Sequence, residues 1–266
     1  LDRKVSARMQ GRVGPRLLQP YYDLRKLLIK EQATVNAVDE AYVTCGLIFV
    51  ILAGGLFISG SNLLMCVFLV TLGTLFVIVA AYSSRSPYSD TGADRECLQV
   101  MSYEPMLLIR TVGFFTATQS FDIASLTTLD APIICALVPI FAGLVFILTI
   151  KLRKSPFDLS YSHHAHQEIV KGITTEMSGR TLAIVDVMHW CESVLFLMWV
   201  GMFFIWDNPI SFAVAAIVMA LVWFFEVWID NNFARVKWQL CLKLAWLVAL
   251  VMGVVNLFYV LITPFI

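Results

Sequence analysis

Long apolar blocks alternate with short polar stretches along the chain. Blocks of about 20 apolar residues, enough for a helix to cross roughly 30 Å of hydrocarbon, recur at approximately 41–60, 63–82, 98–118, 131–151, 181–205, 209–229 and 243–263. A backbone surrounded by lipid must satisfy its own hydrogen bonds, so each block is expected to be a helix. The pattern predicts an all-α polytopic membrane protein of about seven transmembrane helices. The third block is the weakest, because Glu104, Pro105 and Arg110 fall inside it. A different pattern occupies 16–31. Leu17, Leu18, Tyr21, Leu24 and Leu28 fall on one helical stripe, Arg25, Lys26 and Lys30 lie off it, and Pro20 suits a helix start. This predicts an amphipathic helix on the cytoplasmic side, lying in the membrane interface, packed on the protein, or both.

Charge then orients the blocks. Seven crossings place residues 1–40, 83–97, 152–180 and 230–242 on one side. With the block edges counted, that side holds all but one of the 19 Lys and Arg residues; the exception, Arg110, is inside the third block. By the positive-inside rule this side is cytoplasmic, which makes the chain a multi-pass protein of the cytoplasmic membrane with its N-terminus inside. Two regions follow: a basic N-terminal segment, 1–40, and a membrane domain, 41–266, with cytoplasmic loops 83–97, 152–180 and 230–242. Composition agrees. Of the 266 residues, 59% are apolar and 14% charged, against roughly 25% charged in soluble domains, and the mean hydropathy is +0.79. A soluble enzyme, a disordered chain and a nucleic-acid-binding protein are excluded on these grounds. The six Cys are scattered without a CxxC and read as small hydrophobes. Residues 1–30 are basic and lack the apolar core of a signal peptide.

Carboxylates inside a bilayer are costly and mark function by default. Glu104, beside the helix-disrupting Pro105, suggests a hydrated cavity; Arg110, six residues on, faces a different side of the same helix and is a poor partner for it. Asp186, His189 and Glu192 recur every three residues along one helix face, either a proton-passing row or a polar contact between helices. Glu226 and Asp230 share a face at the cytoplasmic end of the sixth block and read mainly as interfacial residues. The run His163, His164, His166 within 152–180 is a weak metal signal without neighbouring Cys or HExxH, and reads as a polar loop. No phosphate loop, dinucleotide fingerprint or catalytic triad is present, so no catalytic residue, metal or cofactor is assigned to this chain.

Three blocks carry a resemblance. DRKVSARMQGRVGP followed by LLQPYYDLRKLLIKE, GADRECLQVMSYEP (92–105) and SPFDLSYSHHAHQEIVKGITTEMSG (155–179) occur in the order and cytoplasmic positions of matching blocks in subunit 1 of respiratory complex I. The chain resembles that family over roughly 1–192. It departs from complex I members in carrying Lys151 where they have an acidic residue before PFDL, and in a longer loop after it. That loop, SHHAHQEIV, and the later His189-Trp190-Cys191-Glu192 resemble the homologous subunit of group 4 energy-converting nickel–iron hydrogenases. Complex I members have a further helix ahead of the first block; by the resemblance that helix is either absent here or lies upstream of Leu1.

The resemblance implies a membrane anchor and coupling subunit, not a redox centre. As part of a hydrogenase it would link a ferredoxin-oxidising arm to H⁺ or Na⁺ transport. Its partners would be the hydrogenase large and small subunits, iron–sulfur subunits and antiporter-like membrane subunits, with the nickel–iron centre and iron–sulfur clusters held in those partners. By motif position, Glu104, Glu168 and Glu176 match the family's acidic channel, and Asp158 and Glu192 match further acidic positions. With Asp186 and His189 they form the expected ion pathway. Arg12, Arg16, Arg25, Lys26, Arg95 and the three His form the expected docking surface for the arm. The alternatives are the quinone-site subunit of a complex I-type dehydrogenase and a relative whose arm reduces sulfur compounds.

Overall fold

The computed structural model of the chain describes residues 2–31, 38–157, 160 and 171–262. Among these the architecture is helical, with no strand. The helices are α1 (Asp2–Met9), α2 (Gln19–Ile29), α3 (Asp39–Ile58), α4 (Leu63–Ser83), α5 (Pro87–Thr118), α6 (Val138–Lys151), α7 (Gly179–Gly201), α8 (Ile210–Asn232), α9 (Trp238–Val248) and α10 (Val255–Ile262). A wider π turn, Ala249–Val254, joins α9 to α10.

Five helical segments are long and apolar enough to cross a membrane: Asp39–Ile58, Leu63–Ser83, Gly179–Phe204, Ile210–Asn232 and Trp238–Ile262. Of the seven expected blocks, the third and fourth do not meet this measure. The third belongs to α5, a 32-residue helix that begins at Pro87 and passes through Pro105. Residues 87–97, expected in a loop, form its first turns. Pro87 fits a helix start because its missing N–H would be unpaired there anyway, and Asp90 complements the positive end of the helix dipole. At about 48 Å the helix exceeds the hydrocarbon thickness, and the charges of its first turns, with Glu104 and Arg110, dilute its apolar character. The fourth block contains only a 14-residue helix, roughly 21 Å long. Its earlier part is a 3-10 turn, Ile133–Cys135, and Pro139 starts α6.

Close backbone approach sets the packing around α5. A side chain at Gly46 on α3 would meet the Gly73 carbonyl of α4 at 2.9 Å, and one at Gly73 would meet Val50 at 2.9 Å, so small residues allow these helices to cross closely. Helix α5 packs against α4, α6, α9 and the turn Gly172–Thr174. A Cβ at Gly92 would lie 2.3 Å from the Ile173 nitrogen, so this glycine lets the turn lie backbone-to-backbone on the start of α5. Trp199, Phe196, Leu137 and Leu144 are among the wholly buried core side chains.

The polar ends of the helices gather at one end of the bundle. There Ser83 bonds Asp39, and Arg180 lies 3.6 Å from Glu40. At the opposite end the Leu63 amide donates to the Phe121 carbonyl at 2.9 Å, and that of Asp207 to Leu129 at 3.0 Å. Helix α2 packs on α7, with Leu24 half-buried but Tyr21 and Leu28 more than half exposed, so the amphipathic stripe only partly covers the protein. Asp23 ties α2 to α1 through Arg3 at 3.0 Å and accepts from Gln19 at 2.9 Å. The Gln19 hydrogen bond, helped by Arg3, holds the Asp23 carboxyl below the ordinary carboxylate range.

Candidate ion-coupling site

Helix α6 ends at Lys151, where Arg153 reverses the chain in a left-handed conformation (φ 52°). The Lys151 side chain is buried between α4, α5 and α7. Its Nζ lies 3.1 Å from Glu192 Oε1 on α7, and the two side chains are 5% and 6% exposed. The ammonium also donates to Thr74 Oγ1 on α4 at 3.1 Å and to Tyr103 Oη on α5 at 3.3 Å. It lies 5.0 Å from the Tyr103 ring centre and 5.6 Å from that of Phe196. Thr74 Oγ1 lies 3.3 Å from Glu192 Oε1, and His189 Nδ1 is 3.5 Å from the other carboxylate oxygen. Four helices therefore converge on one desolvated ion pair.

A second buried group adjoins it. Glu96, in the first half of α5, accepts from Arg153 Nη2 at 2.9 Å. Ser160 Oγ bridges Glu96 and Gln99, lying 2.8 Å from Gln99 Oε1, and Gln99 Nε2 donates to the Phe157 carbonyl at 2.7 Å. The charge of Lys151 acts on Glu96 across the gap. This row of alternating acids and bases supports acid–base and electrostatic work. Removing or adding one charge leaves its partner buried without compensation, a state costly enough to force rearrangement. Among the described residues, no three His, Cys, Asp or Glu side chains form a metal-binding group.

Of the acids expected along the ion path, Glu192 is at the centre of the network and His189 touches it. Asp186 is half-buried and interacts electrostatically with His189 and with Arg3 and Asp23 of the N-terminal segment. Glu104 and Glu176 are half-buried, and neither takes a hydrogen-bond or ion-pair partner among the described residues. Asp158, Glu168, His163, His164 and His166 lie outside the described residues. Arg12, Arg16, Arg25 and Lys26 are exposed and Arg95 is half-buried. Glu104 and Arg110 do not pair. Arg110 is wholly buried, 4.2 Å above the Trp199 ring.

The sequence pattern gives no role to Glu96, Gln99, Arg153, Thr74 or Tyr103, and it marks Lys151 only as a departure from an acidic position. A lone Lys at the edge of an apolar block is in fact the available signal: an ammonium placed there must either snorkel to water or find a carboxylate.

The family model described as NADH dehydrogenase matches residues 1–261 of the chain. An NADH-quinone oxidoreductase subunit of Anoxybacillus flavithermus is 28% identical, the match covering 97% of this chain and 85% of the relative. The corresponding NADH-quinone oxidoreductase subunit of Rubrobacter xylanophilus is 26% identical, with 97% and 87% covered. Among solved structures, a chain of the membrane-bound sulfane sulfur reductase, an archaeal respiratory membrane complex, superposes with a TM-score of 0.85 over 96% of this chain and 92% of that one, at 22% identity. That likeness is one of fold. The family match extends through the last two membrane helices, beyond the motif blocks at 1–192, and on that ground the chain belongs to the NADH dehydrogenase family.

Proposed function

We propose that this chain is the membrane subunit through which the peripheral redox arm of a complex I-like respiratory complex is coupled to ion translocation. The carrying observation is the buried network joining Glu96, Arg153, Lys151, Glu192 and His189. In this reading the basic end of the bundle faces the cytoplasm and receives the arm. A charge change at the arm is relayed through Glu96 to the Lys151–Glu192 pair, whose opening or closing accompanies ion passage. The relatives named as subunits of NADH-quinone oxidoreductases favour a quinone as the arm's acceptor. One observation favours a second reading, an arm that reduces protons or sulfur compounds: Lys151 replaces an acidic residue of the complex I pattern and is committed to Glu192.

Two measurements test this. Purified complex is extracted and assayed for bound quinone: its presence supports the first reading of the arm, and its absence the second. Inverted vesicles carrying Glu192→Gln, which keeps the size of the side chain but not its charge, are then assayed for ions moved per electron. The ratio is expected to collapse. A wild-type ratio in that variant would overturn the coupling role of the network.

A further inference from the structure

Helix α8 carries a carboxyl group that this network does not use. Glu226 is wholly buried, and neither of its carboxyl oxygens has a hydrogen-bond partner among the described residues. An ionised carboxylate is strongly disfavoured in such surroundings. The charged groups that face it are Lys154, from the turn after α6, and Asp230, one turn further along α8. Lys154 is engaged elsewhere, 3.6 Å from Asp230 and 2.5 Å from Asp2. Asp230 also accepts from the Ser155 amide at 2.9 Å. Together with Gln10, Ser155, Asn231 and Arg235, Asp230 lines an open cleft of about 380 Å³ at the basic end of the bundle. Glu226 lies one helical turn, about 6 Å, inward of Asp230 along the helix axis, and Lys154 acts electrostatically on it while sitting 3.6 Å from Asp230.

A purely structural role does not account for Glu226. A carboxyl with no partner contributes less to packing than an apolar side chain of the same volume, because its polar atoms are desolvated without return. The arrangement does suit a group that is neutral at rest and charged in passing, since an ammonium stands nearby with a second acid to share it.

We propose that Glu226 is a proton-exchange carboxyl that trades its proton with the cleft between α1 and the end of α8. When the proton leaves for water in the cleft, the ammonium of Lys154 shifts from Asp230 towards the new carboxylate, and Asp230 keeps the Ser155 amide. Return of a proton from the cleft reverses both movements. No bond other than the O–H is made or broken, and no electron moves. The proposal rests on the ion-translocating reading above and adds to it a second loading point on α8, separate from the α4–α7 network.

Infrared difference spectra of the purified complex, recorded in H₂O and D₂O, read the group directly. A deuterium-sensitive C=O stretch of a protonated carboxyl is expected at neutral pH. It should be lost in Glu226→Gln and kept, shifted, in Glu226→Asp, the latter serving if the Gln variant does not assemble. Its persistence in an assembled Glu226→Gln complex overturns the proposal. The second arm uses inverted vesicles driven by NADH or reduced ferredoxin, whichever the complex oxidises, with ions per electron measured for Glu226→Gln and Glu192→Gln in parallel. Loss in both is the expected result. Loss in Glu192→Gln alone sinks the role of Glu226, whereas a wild-type ratio in both sinks the coupling reading itself.

Discussion

At the residue scale, the Lys151–Glu192 pair shows why charge in an apolar helix has to be read together with its partner. Lys151 stands at the last residue of α6 and would be an ordinary end-of-helix cation if the chain continued into water. Instead both charges are nearly fully buried. Removing one partner strands the other, which typically costs about 3–5 kcal/mol, whereas replacing both is close to neutral. Lys151→Met is therefore expected to lower the thermal stability of the purified complex markedly, and Lys151→Met with Glu192→Gln to recover most of that loss. Equal stability of the single and double variants would show that the two side chains are not coupled. Arg110 meets the same problem differently. It has no carboxylate partner among the described residues and lies over the face of the Trp199 indole, whose ring quadrupole attracts the guanidinium.

At the element scale, α5 and the turn after residue 171 decide whether the site exists. Glu96 and Gln99 occupy the half of α5 whose start the hydrophobic pattern assigned to a loop, and Gly172–Thr174 rests on that same half through Gly92. A methyl group at Gly92 would lie 2.3 Å from a backbone nitrogen and 2.4 Å from the Gly172 carbonyl carbon, neither of which can swing aside. Overpacking of this kind costs about 1–3 kcal/mol or more. Gly92→Ala is expected to lift the 171–178 segment and expose the Glu96 pocket. Limited proteolysis should then cut there faster than in the wild type, while α3 and α4, crossing through Gly46 and Gly73, stay protected. Unchanged cleavage would mean that the turn is held by something other than this contact.

At the scale of the whole molecule, the helix ends sort into a basic end and one that carries Asp122, Asp130 and Asp207 but no basic residue. Ion pairs such as Lys154–Asp230 and Arg153–Glu96 gather at the first, and backbone contacts such as Leu63 to Phe121 tie the second. If the bundle spans the bilayer with its basic end inside, Thr91→Cys and Thr127→Cys, both at exposed positions, stand on opposite sides. In a Cys135→Ser background, a membrane-impermeant thiol reagent applied to intact cells is expected to label Thr127→Cys and not Thr91→Cys. Inverted vesicles should give the reverse. Labelling of Thr91→Cys from outside would overturn the orientation.

The sequence determined the helical, membrane-spanning class, because runs of about 20 apolar residues have few other stable solutions. It also determined which polar segments share one end, because the basic residues recur at every second gap between blocks, and it marked Glu192 as an intramembrane acid. Three things needed the tertiary structure. Hydropathy alone could not place the start of α5 or reveal the shortness of α6, since the ends of these helices depend on Gly92 meeting a distant turn and on prolines interrupting an otherwise apolar run. The partner of Glu192 is 41 residues away, and no periodicity within one helix brings α4, α5, α6 and α7 onto the same ammonium. The burial of Glu226, which reads as interfacial along the chain, follows from the packing of α8 and the nearby turn after α6. A carboxyl's solvation is set by what surrounds it in space, and that is decided only when the helices assemble.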